Sequence, residues 1–352
     1  MGTYKIGIHN TKESFSEHWI TYCKANQLSY KLVNCYNNDI VNDLVDCDAL
    51  FWHFSQNDPK AILFSKQLLF SIEASGRKVF PDFNTVWHFD DKVGQKYLLE
   101  SIEAPLVNTY IFFNRDEALN WASSTNFPKV FKLRNGAGSQ NVRLVKNKLE
   151  ANGLIRLAFG KGFKAYDPKF SLHERWRKFK LGMTDFRDVL EGIVRFIVPP
   201  PYAMIRGRER GYIYFQDFIP ENDHDIRVIV IGDKAFAIKR MIRANDFRAS
   251  GSGDILYDRK VFNESIIRLS FDLAVRLKSQ CVAFDYIHKG NQPLLVEISY
   301  GFSPEGYSAC PGYWDKELNW HAGEFNPYGW MVEDVIAQAD RQRFDKTHSE
   351  QK

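Results

Sequence analysis

In the first eighty or so residues, short apolar runs alternate with longer mixed stretches. KIGI (5–8), SYKLVNCY (29–36), ALFWHF (49–54) and RKVF (77–80) have the length and composition of strands, while 13–26 and 58–75 are long enough for helices. Strand alternating with helix predicts a small parallel sheet of the doubly wound kind. The segment DDKVGQKYLLESI (90–102) opens on acids that suit the positive end of a helix, and Pro105 marks its end. A helical bridge then leads into a different pattern. FPKVFKLRNGAGSQNVRLV (127–145) reads as strand, glycine-rich turn and strand, and two further hairpins follow at 225–240 and 281–300. A helix at 262–278 sets Phe262, Ile266, Leu269, Leu273 and Leu277 on one face. The second unit is therefore α+β, behind an α/β leading domain.

Composition narrows the class. With 352 residues, 44% hydrophobic and 26% charged, the chain is globular rather than disordered or collagen-like. The net charge of +4 gives no global reason to expect nucleic acid as a partner. Basic character is local: residues 161–212 hold twelve cations against six acids and contain the breaker Pro199-Pro200-Pro201. Such a segment is either a solvated helix pair or a face for an anionic partner. The apolar run 194–204 is broken by Arg195 and three prolines, well short of the ~20 residues that cross a bilayer, so no membrane span is expected. MGTYKIGIHN lacks the pattern of a secretory leader, and Ile6 breaks the myristoylation motif, which predicts a cytoplasmic protein. Five cysteines without Cys-x-x-Cys spacing predict packed, reduced thiols.

Candidate chemistry sits on the hairpins. If Lys289 pairs with Pro293 across a three-residue loop, Asp285 falls directly opposite Glu297, and Ser299 lies two residues further on the same face. Opposed carboxylates repel by roughly 3 kcal/mol at an effective dielectric of 20, so they need a cation or a shared proton between them. A hard divalent ion such as Mg²⁺ suits oxygen donors, and a nearby lysine would serve the same electrostatic need. In the second hairpin, turning at Gly232-Asp233, Asp225 faces Arg240, with Arg227 on the same side. That arrangement is either a cross-strand salt bridge or a cationic edge for phosphate. Lys132 ends a strand just before Asn135-Gly136-Ala137-Gly138-Ser139, where glycines let backbone N–H groups approach a polyphosphate.

Taken in order, DDKVGQKYLLESIEAPLVNTY, FPKVFKLRNGAGSQNV, YFQDFIPENDHDIRVIVIGDKAFAIKR, NDFRASGSG, VAFDY and LLVEISY resemble the ATP-grasp superfamily of carboxylate–amine ligases. The likeness runs over roughly 90–300 and points to the branch of glutathione synthetase and the ribosomal-protein glutamate ligases. It implies an α/β leading domain followed by an α+β ATP-grasp fold whose two subdomains clasp ATP. The corresponding divisions are 1–85 for a Rossmann-like leading domain, 86–150 for the N-terminal subdomain, 151–212 for a basic insertion, 213–340 for the C-terminal subdomain and 341–352 for a polar tail. The resemblance further implies that Lys92 and Lys132 hold ATP phosphates under a loop that includes Gly136, Gly138 and Ser139. Gln216, Asp217 and Phe218 would present backbone groups to adenine, and Asp225 would bind ribose. Arg227 and Arg240 would neutralise the transferred phosphoryl group, and Arg248 would hold the acid substrate. Asp285 and Glu297 would bind Mg²⁺, or Mn²⁺ in its place. The sequence departs from the family where an Asn usually completes the metal site: Ser299 stands there, and ASGSG replaces the usual loop after Arg248.

The implied reaction is phosphorylation of a carboxylate by ATP and attack of an amine on the acyl phosphate, with ADP and phosphate released. The basic segment and the aromatic run CPGYWDKELNWHAGEFNPYGW (310–330) favour an anionic carboxylate, such as a uronic-acid glycan, joined to an amino acid. Tyr313, Trp314, Trp320, Tyr328 and Trp330 would stack on sugar rings, unless they pack the C-terminal helix. The alternative is a kinase of the same fold acting on a hydroxyl of an anionic small molecule. The sequence leaves a homodimer open.

Overall fold

The computed structural model describes residues 4–136, 141–180, 182, 184–242, 247–249 and 253–349, with side chains as far as Arg341. The leading unit is a four-stranded parallel sheet in the order Ser29–Val33, Lys5–His9, Ala49–Phe51, Lys78–Phe80. Ile6, Ile8, Ala49 and Phe51 are fully buried in it, because strands covered on both faces must be apolar throughout. Helices Phe15–Ala25 and Ala61–Ala74 connect these strands, the first capped by Ser14. The alternation in the sequence places each element within a few residues of its observed bounds.

Helix Lys92–Ser101 begins at the N-cap Asp91, whose carboxylate accepts from Gly94 N. Its Leu99 packs beneath the largest sheet. The chain next builds a four-stranded sheet in the order Thr109–Phe112, Ile213–Asp217, Lys129–Lys132, Arg143–Val145, backed by helices Arg115–Ser124 and Lys148–Ala158. Ala151, Ile155 and Ala158 join the core of this sheet with Phe131 and Phe215. The helix therefore runs across the expected division at 150/151, and the first residues assigned to a basic insertion are core. The inserted helices proper are Pro168–Lys180, Phe186–Val194 and Pro201–Arg206.

The remaining sheet follows the order Gln292–Ser299, Cys281–Lys289, His224–Ile231, Lys234–Met241, Gly312–Asp315, Trp320–Ala322. One face, with Val228, Phe284 and Tyr286, packs on helix Glu264–Leu277 through Ile266, Leu273 and Leu277. The other face, with Ile229, Phe236 and Cys281, packs against the leading unit and helix Pro327–Ser349. The five cysteines are free and buried. No described helix is long and apolar enough to cross a membrane.

Tyr328 and Trp330 are buried in that second core, where Trp330 stacks on Phe325 with ring centroids 5.1 Å apart. Trp314 is buried on the helix side, and Tyr313 stacks on His321. Packing claims the aromatic run read above as a sugar platform.

Candidate active site

The strands Cys281–Lys289 and Gln292–Ser299 set Asp285 opposite Glu297 and Ala283 opposite Ser299. The turn is tighter than the sequence reading: Lys289 pairs with Gln292 across Gly290-Asn291, with Gly290 at φ 59°. A bulge between Asp285 and Tyr286 absorbs the missing residue and restores the register at the carboxylates. Each carboxylate has its own cations. Lys92 Nζ lies 2.9 Å from Glu297 Oε1, while Arg240 Nη2 donates to Asp285 Oδ1 at 3.0 Å and Arg227 Nη1 to Oδ2 at 3.3 Å.

Two lysines enter from separate elements and differ in electrostatic state. Lys92, the first residue of its helix, also donates to the carbonyl of Gly136 at 2.8 Å. Burial works against its charge, but Glu297 and Asp90 outweigh that and hold its pKa above the ordinary value. Among the described residues the hydrogen-bond acceptor of Lys132 is a neutral one, Gln216 Oε1 at 2.7 Å, and burial pushes its pKa down to about 8. The amide of Gln216 is fixed in turn by donating to Thr109 Oγ1 at 3.0 Å.

Arg240 grips Asp225 through two parallel bonds of 2.6 and 2.8 Å while reaching Asp285, and both acids hold its pKa high despite burial. Burial raises the Asp225 carboxyl even beside this guanidinium. Arg227 donates from Nη2 to the Gly301 carbonyl at 3.1 Å, whereas its buried Nε has no hydrogen-bond partner among the described residues. An unpartnered charged donor beside a carboxylate pair is what an oxyanion would satisfy.

Of the residues singled out from sequence, Arg227, Arg240, Asp225 and Asp285 form one set of ion pairs and Lys92 with Glu297 a second, the two sets meeting where Asp285 lies opposite Glu297. Gly136 is held by Asp90, whose Oδ1 accepts from its N–H at 2.7 Å. Gly138 and Ser139 lie outside the described residues. Ser299 turns its hydroxyl onto Gly301, donating to its carbonyl and accepting from its N–H, both at 3.2 Å. The guanidinium of Arg248 sits 5.3 Å over the ring of Phe170 in the insertion. Gln216 and Asp217 are the last residues of a central strand, paired on both sides, and the Asp217 N–H is taken by Asn108 O. It is the Gln216 side chain that reaches Lys132. Asp217 instead pairs with Lys129, and with Phe218 it lines a cavity of about 950 Å³ behind the strand connection.

Three contributors carry no sequence signal of their own. Asp90 binds Gly136 and, through Oδ2, Arg206 at 2.6 Å. Gly301 is the point where the leading unit meets the catalytic sheet: a Cβ there would lie 3.5 Å from His53 Nε2. His53 stacks on Phe15 at 3.8 Å and accepts from Phe15 N, and burial lowers its pKa to about 3, so it is neutral.

Directly opposed carboxylates presenting only oxygen donors fit Mg²⁺, which keeps several waters and needs few protein ligands. No group of three His, Cys, Asp or Glu suited to a metal gathers among the described residues, so water and phosphate oxygens would complete the shell around Asp285 and Glu297.

Two antiparallel sheets facing each other, one bringing lysine and the other an opposed carboxylate pair with arginines, behind a parallel leading sheet, make up the ATP-grasp fold, and the chain has that fold. Its sequence is 22% identical over 247 residues to the α-aminoadipate–LysW ligase LysX of Saccharolobus solfataricus, covering 68% of this chain and 72% of that protein. The structure of a RimK domain ATP-grasp protein from Sphaerobacter thermophilus matches with a TM-score of 0.52 at 14% identity, over 94% of this chain and 99% of the other. The D-alanine–D-alanine ligase of Bacillus anthracis, solved with ATP, matches with a TM-score of 0.56 at 13% identity, over 98% and 100%. No family model matches the sequence.

Proposed function

We propose that the chain is an ATP-dependent, ADP-forming ligase that joins a carboxylate to an amine. The observation that carries this reading is the convergence of Lys92, Arg227 and Arg240 on the opposed pair Asp285 and Glu297, with Lys132 buried on the sheet that faces them. Such a site neutralises a polyphosphate and the charge that develops as its terminal phosphoryl group moves. Mg²⁺ held by Asp285 and Glu297 would screen the triphosphate and polarise the transferred group. The carboxylate oxygen of the acid attacks the γ-phosphorus, the bond to the ADP oxygen breaks, and an acyl phosphate forms. The amine nitrogen then attacks the acyl carbon, phosphate departs, and the nitrogen loses a proton to solvent. Arg227, with its free Nε, and Arg240 stabilise the oxyanion, and Lys132 and Lys92 orient the nucleotide.

The acid substrate carries a further negative charge in this reading, a choice supported by the cations Arg227 and Arg240 beside the carboxylate pair and by Arg248 over Phe170 of the insertion. A uronic-acid glycan satisfies that requirement, but most of the aromatic residues that would stack on it are committed to packing, so recognition rests mainly on charge. The test is an ADP-release screen of carboxylic acids crossed with amino acids, with products read by mass. ADP and phosphate with an amide product support the reading. Pyrophosphate, or a phosphorylated hydroxyl in place of an amide, refutes it.

A further inference from the structure

Helix Phe186–Val194 is inside out for a surface helix. Amphipathic surface helices bury their apolar stripe and expose their charges. Here the residues turned toward helix Pro168–Lys180 are Val189 and Gly192, the latter so close that a Cβ would meet Arg175 Cδ at 2.8 Å. The acids of the helix are tied down as well: Asp188 and Glu191 pair with Arg175, and Glu191 also with Arg195 at 2.7 Å. What remains outward is Phe186, Leu190, Ile193 and Val194, continued by Ile197, all between 49 and 85% exposed. Met204 and Ile205 on the next helix are exposed as well. Lys178, Lys180 and Arg187 are exposed on the same helix pair.

We propose that this face is a peripheral docking surface for an anionic lipid bilayer. Charge complementarity selects the occupant. The segment 161–212 carries twelve cations against six acids, so a second copy would bring the same positive field against itself. The stripe is the outside of a helix pair rather than a groove, and its side chains are aliphatic or phenylalanine. A fluid acyl layer covers such a convex surface without a matching concavity, while the neighbouring cations meet the headgroups. The orientation has a consequence for access. Arg206, in the same insertion, is bonded to Gln56 O and Asp90, and Phe170 lies under Arg248, so the docked face lies beside the mouth of the site. This inference does not depend on the reaction proposed above.

The test is flotation of the full chain with phosphatidylcholine vesicles, with and without phosphatidylglycerol, at low and high salt. Binding is expected only with phosphatidylglycerol, weakening as salt rises. The triple variant Leu190→Gln, Ile193→Gln, Ile197→Gln should lower the partition coefficient by more than about tenfold while ADP formation continues. These side chains are about half exposed or more, and an unchanged near-UV circular dichroism spectrum checks the fold. A readout that needs no destabilising change is quenching of Trp176 by lipids brominated in the acyl chain, with Trp176→Phe as reference. No flotation with anionic vesicles, flotation indifferent to the triple variant, or a wild-type dimer that the variant dissociates would each overturn the proposal, the last in favour of a second copy.

Discussion

Lys132 offers the sharpest test of the site, because its burial beside a neutral partner makes a quantitative demand on pH. With a pKa of about 8 in the folded chain, the ammonium is mostly charged at pH 7 and about one-tenth charged at pH 9. If nucleotide binds only to the charged form, ATP affinity falls roughly tenfold between those conditions, about 1.4 kcal/mol. ATP itself is fully ionised over most of this range, so the loss belongs to the protein. The stability contribution runs the other way. The folded pKa lies below the unfolded value, so the unfolded chain holds the proton more tightly, and stability rises as pH climbs from about 8 to about 10.4. At complete burial the difference amounts to at most about 3 kcal/mol. Lys132→Met removes that desolvation cost but strands Gln216 Oε1, which costs about 1–3 kcal/mol, so the variant should fold with nearly parental stability at pH 7. Calorimetric titration of ATP into both proteins across this range is the assay. The variant should bind weakly and without the pH slope, and an identical slope in both would refute the assignment of Lys132 to the phosphates.

Other expectations rest on neighbouring contacts. Lys129→Ala, which breaks the pair with Asp217 on the reverse of the sheet, should lower the melting temperature yet leave ATP affinity within about threefold, as thermal shift and calorimetry would show. Glu297→Gln removes the partner of Lys92 and half of the carboxylate pair. It should abolish ADP release at any Mg²⁺ concentration while leaving the circular dichroism spectrum intact, and parental turnover in a coupled assay would sink the metal assignment. Arg240→Lys cannot keep both bonds to Asp225 and the bond to Asp285, so chemical denaturation should show a loss of about 2–4 kcal/mol alongside lost turnover.

What could be read in advance follows the range of the interaction. Short apolar runs placed the parallel sheet, and a three-to-four-residue period placed helix Glu264–Leu277, because those signals lie within one element. The facing of Asp285 and Glu297, and of Asp225 and Arg240, was legible because a hairpin fixes register locally. The bulge that rescues the first of these was not, since a shorter turn and one extra residue cancel at the carboxylates. Partnerships between distant segments were hidden for a different reason. Gln216 with Lys132, Asp90 with Arg206 and His53 beside Gly301 depend on the order of strands and the approach of sheets, which no local pattern encodes. The same blindness made the aromatics of 313–330 look available when tertiary packing had already taken most of them.

The sheet that carries Lys132 is spliced into the chain between helix Lys92–Ser101 and strand His224–Ile231, and its two connections run side by side. Asp217 N donates to Asn108 O and Asn108 Nδ2 to Asp217 Oδ2, while Val107 N donates to Leu295 O of the catalytic sheet. A lobe attached by a single strand can swivel in any direction. One hung on two adjoining straps behaves like a door on a paired hinge, with a single easy rotation. On the reading proposed above, Lys132 would then travel along an arc toward or away from the carboxylates, and alignment of the nucleotide would be a matter of opening angle rather than of search.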